Sequence, residues 1–402
     1  MFQKFSENST PLTNNTINYF SYLCFIRHGG EKMKIICNTQ TLCEVCQNVQ
    51  KAVSTKTSIP AIEGILLKAV DNELILTGYD LEVGINTSIE AKVEKAGSII
   101  INAKILCDIL RKLPGESVII EADERQLCVI RCGEVEYKLV GFTADEYPEL
   151  PTVSGGLPII VECDILKDMI RQTIFAVAVN DSKIVYTGLK FEITRGKIKI
   201  IAVDGFRLAI RTENIKYSGE DISFIVPAKT LSEVTKLMEN NDVVSMNVGK
   251  RHIIFEIGNY CIISRLLEGE FLDYNTAIPK SLSTEVKANV KLLTDSIERT
   301  SLLITDRLKS PLRCIFEDNI IKISTVTALG MANDKVFAQI EGERVEIGFN
   351  NRFLLDALKA CDVEDVTIKL NGPISPITIE PTNNEDESFL FLVLPVRLKN
   401  EN

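Results

Sequence analysis

Three segments of this chain are variants of one another. N-A-K-I-L-C-D-I-L-R-K-L begins at Asn102, P-A-K-T-L-S-E-V-T-K-L-M at Pro227 and N-N-R-F-L-L-D-A-L-K-A-C at Asn350, so the copies stand 125 and 123 residues apart. A period of that length limits the fold to serial copies of one unit, because each copy must carry its elements in the same order. Each segment spaces its apolar residues for a helix, as at Leu106, Ile109, Leu110 and Leu113 or at Leu354, Ala357, Leu358 and Cys361. An alternating strand follows each, as at Val118 to Ile120 and Val366 to Leu370. A second helix opens each third, over 39–53, 162–178 and about 287–303, and strand pairs follow at Leu74, Ile198 and Ile321. The segment from Glu146 to Leu150 has its counterpart 124 residues later, from Glu270 to Tyr274. Two helices and many short strands per unit predict an α+β fold with helices on one face of antiparallel sheets. The units are expected at 33–152, 153–281 and 282–402.

Composition narrows the function classes. Apolar residues at 45% and charged residues at 25% are ordinary for a soluble globular chain, which excludes collagen-like and disordered classes. No apolar run approaches the roughly 18 to 20 residues that a membrane span needs. The 11 cysteines are scattered without a small-domain disulfide framework, which predicts a reducing cytoplasm. Two histidines leave little material for an imidazole base or a His-rich metal site, and no catalytic residue, metal or cofactor is expected. Cys43-Glu44-Val45-Cys46 has redox spacing but lies on the stripe Leu42, Val45, Cys46, Val49 and Val53, so it reads as packing. Gly64, Gly78 and Gly84 belong to no phosphate-binding loop, and Asp145-Glu146 reads as a solvated linker. A net charge of −10 argues against coating nucleic acid with the whole surface, though not against a local basic face.

Residues 1–32 lack the basic start and long apolar core of a signal peptide. Gly29-Gly30-Glu31-Lys32 before Met33 can be encoded by a purine-rich ribosome-binding sequence, so Met33 is expected to be the native start. The alternative is a genuine, poorly ordered extension.

The chain carries, in order, L-T-G-Y-D-L-E at Leu76, G-F-T-A-D-E-Y-P-E-L-P at Gly141, D-G-F-R-L at Asp204, G-E-F-L-D-Y at Gly269, E-I-G-F-N at Glu346 and V-L-P-V-R-L ending at Leu398. On these motifs the chain from Met33 to Leu398 resembles the bacterial sliding clamps, the beta subunits of the replicative DNA polymerase III. It implies three tandem clamp domains per chain and a head-to-tail homodimer closed into a ring. Helices would line a hole around double-stranded DNA, with sheets outside. It implies no catalysis. The implied partners are the polymerase alpha subunit, the clamp loader, and other polymerases and repair proteins that bind through short peptides. The implied location is cytoplasmic, at the nucleoid, without a membrane. The competing reading is a three-repeat intracellular adaptor or enzyme sharing only the architecture.

Sequence-independent attraction to a duplex needs Lys and Arg facing phosphates. The six helical segments carry a net positive charge while the rest of the chain holds the acid. The expected DNA-facing residues are Lys51, Lys104, Arg111, Lys112, Lys167, Arg171, Lys229, Lys236 and Lys291, with Lys287, Arg299, Arg352 and Lys359 on the same segments. Lys56 matches a DNA-contacting position of the family. The resemblance also implies a peptide groove walled by Tyr186, Gly205, Phe206, Arg207, Leu208, Leu272, Asn350, Phe353, Ile374, Leu392, Leu394, Pro395, Val396, Arg397 and Leu398. There, apolar residues would bury the Leu and Phe of a Q-L-x-L-F-like ligand, while Arg207 and Asn350 would satisfy its polar groups. Phe206, Val203, Leu272 and Thr276 depart from the family's usual residues and predict a greasier groove. Tyr137, Leu302 and Leu303 match its ring seam, with Glu134 and Glu136 standing where basic residues are usual.

Overall fold

The computed structural model describes residues 33–398 except 56, 181, 239–241, 306, 308, 309 and 383–387. The leader and Lys56 therefore lie outside the described residues. In the first third the order is β1 (Met33–Asn38), α1 (Thr39–Val49), β2 (Gly64–Val70), β3 (Glu73–Tyr79), β4 (Val83–Glu90), β5 (Lys92–Lys95), β6 (Gly97–Asn102), α2 (Ala103–Leu110), β7 (Ser117–Ala122), β8 (Leu127–Cys132) and β9 (Val135–Val140). The second third runs β10 (Ile159–Glu162), α3 (Cys163–Thr173), β11 (Gly188–Thr194), β12 (Lys197–Val203), β13 (Arg207–Asn214), β14 (Ile222–Pro227), α4 (Ala228–Leu237), β15 (Val243–Val248), β16 (His252–Ile257) and β17 (Tyr260–Arg265). The last third runs β18 (Thr284–Asn289), α5 (Val290–Thr300), β19 (Leu312–Glu317), β20 (Ile320–Thr327), β21 (Gly330–Phe337), β22 (Gln339–Gly342), β23 (Val345–Phe349), α6 (Asn351–Ala360), β24 (Asp365–Leu370), β25 (Ile377–Pro381) and β26 (Phe389–Val393). The α+β, three-copy expectation holds.

Asparagine sets four of the strand-to-helix turns. Asn38, Asn102, Asn289 and Asn350 each end a strand or stand just past one, and each accepts a hydrogen bond from an N–H of the helix it caps: Thr41 at 2.9 Å, Ile105 at 3.1 Å, Leu292 at 3.1 Å and Arg352 at 3.0 Å. Such a cap satisfies a donor that would otherwise be orphaned and is worth about 1 kcal/mol. The caps also correct the helix bounds. Asn289 keeps Lys287 on β18, and the first helix of each third tapers into a 3-10 turn, at 50–52, 174–176 and 301–303.

The sheets do not respect the repeat boundaries. Five strands lie in the order β5-β1-β7-β8-β9 and eight in the order β10-β15-β16-β17-β4-β3-β2-β6. Nine follow in the order β14-β11-β12-β13-β26-β25-β24-β18-β22, and four in the order β21-β20-β19-β23. All pairings are antiparallel, and two of them join different thirds: β17 to β4, and β26 to β13. One apolar core runs through all three thirds beneath the helices. Cys46 is fully buried in that core, as packing requires, and burial pushes the thiols of Cys37, Cys128 and Cys314 up to about 12. The described cysteines are all free.

The helices form a row. Within the thirds α1 packs on α2, α3 on α4 and α5 on α6. Between thirds, Lys51 Nζ lies 3.8 Å from Glu233 of α4, while Gln172 of α3 donates to the carbonyl of Ala360 on α6 at 3.2 Å. The row is therefore α2-α1-α4-α3-α6-α5, with α2 and α5 at its ends.

Candidate functional site

Where β13 meets β26, the sheet is apolar on both faces. Toward the helices, Phe389, Phe391 and Val393 enter the core. Away from them, Leu392 joins Ile201, Val203, Leu208, Ile210 and Tyr274 in a separate cluster, flanked by Tyr186, Phe271, Ile278, Leu390 and Leu394. Leu208 and Leu392 are paired in register. This cluster lies where the floor of the expected groove would be, and Tyr186 meets Phe271 edge to face at 5.5 Å.

The rim is built on a repeated turn. Asp204 Oδ1 accepts from Phe206 N and Arg207 N at 2.9 and 3.0 Å, while Gly205 between them adopts φ +85°. Asp80 makes the same turn in the first third, at 3.0 and 2.7 Å, with Leu81 at φ 75°. Glycine removes the Cβ strain that Leu81 bears. The turn lifts Phe206 into solvent, 58% exposed, where it stacks on Phe353 of α6 at 5.8 Å. The C-terminal segment closes the other side. Leu394 N donates to the Phe206 carbonyl at 2.9 Å and Val396 N to that of Gly348 at 2.8 Å. A Cβ on Gly348 would sit 2.5 Å from the Val396 oxygen, so this approach requires glycine. Leu398 packs on the same glycine, Pro395 is half-buried, Val396 and Arg397 are exposed, and Leu272 and Ile374 stand out at 40% and 76% exposure.

Two polar residues expected at the groove also make contacts within the chain. Arg207 donates to Asp204 and Asp356, and its guanidinium lies 4.6 Å over Phe353 and 5.5 Å over Phe175. With its side chain only 11% exposed, it ties the turn at Asp204 to α6. The Asn350 amide oxygen is the cap of α6. Tyr274 was not among the expected groove residues. Its hydroxyl donates to Glu192 at 2.7 Å, and Lys190 pairs with the same carboxylate at 2.7 Å. Burial pushes the Tyr274 phenol up, and the Glu192 carboxylate adds to that. Burial works against the charged form of Glu192, but Lys190 and Tyr274 hold it below the ordinary value of 4.5. Its contribution to stability is therefore present at neutral pH and lost as pH falls from 4.5 through the lower folded value. The acid limb of the melting profile is expected to flatten in Glu192→Gln. The sequence signal for this floor is the apolar pair Ile201 and Val203 facing Leu208 and Ile210 across one hairpin.

Among the described residues the expected DNA-facing cations other than Lys287, which is on β18, sit on the helix row or in the turns that end its helices, and most are exposed beside a carboxylate. Arg111 lies 2.8 Å from Asp108, Arg171 3.2 Å from Asp168, Lys236 2.8 Å from Glu233 and Lys291 3.3 Å from Asp295. Lys229 reaches Asp80 at 3.9 Å, Lys359 reaches Glu298 and Arg299 reaches Asp334, both at 2.6 Å. Lys104 and Lys112 are exposed, Lys167 is half-buried and Arg352 is exposed. Arg111 and Lys112 follow the end of α2, and Lys51 lies in the 3-10 turn after α1. A row so often neutralised has a weak field, suited to loose contact with a polyanion.

The third feature is a pair of bare edges. β9 ends the five-stranded sheet and β21 ends the four-stranded one, and on or beside them Tyr137, Val140, Met331 and Phe337 are exposed. Leu302, in the turn after α5, is 80% exposed, and Leu303 beside it is half-buried. Among the described residues no group of His, Cys, Asp and Glu could hold a metal ion, and no helix is long and apolar enough to cross a membrane.

Models of the DNA polymerase III beta subunit match nearly the whole described chain: the N-terminal domain at residues 33–151, the central domain at 160–273 and the C-terminal domain at 275–397. The beta sliding clamp of Bacillus subtilis is 32% identical over 388 residues, covering 91% of this chain and 100% of the relative. That of Staphylococcus epidermidis is 32% identical over 358 residues, covering 86% and 94%. Among solved structures, the sliding clamp of Bacillus subtilis superposes with a TM-score of 0.89 at 32% identity, over 91% of this chain and 100% of that one. A DNA polymerase III beta subunit from Eubacterium rectale gives 0.87 at 33% identity, with the same coverage. With three family models in order and full-length relatives above 30% identity, the chain belongs to the DNA polymerase III beta subunit family, the beta sliding clamps.

Proposed function

We propose that two copies of this chain close head to tail into a ring around duplex DNA and hold polymerases there through the groove, without catalysing a reaction. The observation that carries this reading is the identity of the two internal junctions. In the first, Ile262 of β17 stands opposite Ile85 of β4, and Arg265 N donates to the Glu82 carbonyl at 2.8 Å. In the second, Phe391 of β26 stands opposite Ala209 of β13, and Leu394 N donates to the Phe206 carbonyl at 2.9 Å. β9 is the repeat equivalent of β17 and β26, and β21 that of β4 and β13. Among the described residues β9 and β21 are thus the members of these two equivalent sets that have no partner on that side in one copy, and a second copy supplies both complements. The same equivalence puts Tyr137 opposite Ala332 and Val140 N on the Leu329 carbonyl. Phe175 in the turn after α3 meets Phe391 edge to face at 5.4 Å, so Leu302 in the turn after α5 would meet Tyr137.

A closed ring extends the helix row around a central hole, with Lys104, Lys112 and the paired cations facing the phosphates. Lys56 and the domain bounds at 152 and 281 belong to this proposal. The groove, from Tyr186 and Leu208 to Leu392 and Leu398, would take short peptides of the polymerase alpha subunit, the clamp loader, and other polymerases and repair proteins. An adaptor or enzyme with only the architecture is not favoured by relatives named as clamps over their full length.

Retention on DNA tests the reading. The protein, loaded by its own loader, is expected to stay on nicked circular DNA and to leave when the circle is cut. A monomer that ignores circles even with the loader overturns it. Lys104→Glu with Lys112→Glu is expected to weaken direct duplex binding about tenfold at low salt, with a shallower salt dependence, because phosphate contacts release counterions.

A further inference from the structure

We propose that the seam between copies is locked by a reversed charge match, with Glu134 beside β9 and Glu136 on it in one copy meeting Lys335 of β21 on the other. The surface thereby fits a second copy of this chain. The inference rests on the ring reading above and adds what selects the partner edge. The register comes from the second internal junction, which continues one step past the strand. There Thr212 N donates to the Ser388 carbonyl at 2.8 Å, and Ser388 and Thr212 are the repeat equivalents of Glu134 and Lys335. Residues opposed in an antiparallel pair point to the same face. On β9 that face is the outer one. Tyr137 and Leu139 pair with buried Ile130 and Cys128, leaving Glu136 and Lys138 outside. On β21, Ala332, Asp334 and Val336 pair with buried Thr325, Ile323 and Ile321, leaving Met331, Asn333 and Lys335 outside.

The charges are incomplete within one copy. A ladder of ion pairs crosses the outer face of the first sheet and runs Lys92, Glu94, Lys34, Glu121, Arg131, Glu136, Lys138, with neighbours 2.6 to 3.2 Å apart. It ends on the bare edge β9. The outer face of the four-stranded sheet carries another, through Lys322, Glu317, Arg344, Glu346 and Arg313. Lys335 stands directly opposite Lys322, a like-charge pair of the kind that destabilises a sheet unless an anion approaches. Among the described residues neither Lys335 nor Glu134 has an ion-pair partner. Closing the ring sets Glu134 opposite Lys335 and Glu136 diagonal to it, joining the two ladders.

Mixing complementary charge reversals gives the test. Because each ring has two seams, Lys335→Glu alone and Glu134→Lys/Glu136→Lys alone each spoil both. Each variant is expected to raise the dimer dissociation constant by about 10- to 100-fold at low salt, with less effect at high salt. In a one-to-one mixture both seams of a mixed dimer are matched again, so native mass spectrometry is expected to find mixed dimers well above the statistical half share. That rescue also shows that each variant is folded. Unchanged dimerisation of both variants, or a statistical mixture, overturns the charge assignment while leaving the ring intact. Wild-type protein that sediments as a monomer at micromolar concentration overturns the ring itself.

Discussion

Leu302→Asp is expected to yield a folded monomer that no circular DNA retains. A single exposed leucine on a soluble protein needs no explanation. This one occupies the position at which Phe175 enters the internal junction and meets Phe391 at 5.4 Å. In one copy it is 80% exposed, so aspartate there disturbs no packing within the chain. In the closed ring it would lie against Tyr137, and burying a leucine stabilises by about 1.5 to 3 kcal/mol. Aspartate removes that gain and brings an unpaired carboxylate into an apolar contact, which costs more. Two seams per ring double the loss, for a total of at least about 4 kcal/mol, or roughly a thousandfold in the dissociation constant. Sedimentation equilibrium measures that shift, and a melting curve like the wild type's would show that the loss lies between copies. A dimer of unchanged affinity would place the seam elsewhere.

The repeat made the architecture readable because it is a local signal three times over. Helical spacing at Leu106, Leu231 and Leu354 specifies each unit without reference to the others, and asparagine caps add to it in the first and last thirds. What joins the units was not readable. Cys261 and Asn86 are paired although 175 residues separate them, and nothing in a strand's own sequence says which edge it will meet. The helix ends were overextended for a related reason. Apolar spacing continues through 3-10 turns such as 174–176, while the cap that starts α5 is one asparagine, Asn289, preceded by a strand of similar hydrophobicity. Arg207 shows the limit for the candidate site. Its place beside Gly205 and Phe206 follows from the sequence, but its capture by Asp204 and Asp356, the latter 149 residues away, depends on how α6 docks. The same holds for Tyr274, whose place in the apolar cluster beside β13 and β26 depends on Glu192 and Lys190 of β11, the former 82 residues earlier in the chain.

Phe391→Ala is expected to destabilise the protein by about 3 to 5 kcal/mol and to weaken peptide capture with it. The ring of Phe391 is fully buried, stacked on Phe389 at 4.7 Å and edge-on to Phe175 at 5.4 Å. The neighbours that would have to fill the space belong to two different thirds of the chain, tied by the β13–β26 ladder, so collapse of the cavity is resisted and the cost falls at the high end. Leu392, the next residue, joins Leu208 in the apolar cluster of the opposite face, which is the floor of the proposed groove. A shift of β26 toward the cavity therefore moves the floor. The peptide dissociation constant is expected to rise about tenfold, measured by titration with a Q-L-x-L-F peptide, alongside a lower melting temperature and faster amide exchange in β26. Phe206→Ala provides the contrast, because its ring is on the rim and 58% exposed, so peptide affinity should fall with the melting temperature unchanged. If Phe391→Ala lowers the melting temperature yet leaves peptide binding intact, the two faces of β26 are independent, and the groove owes its shape to β12 and β13 alone.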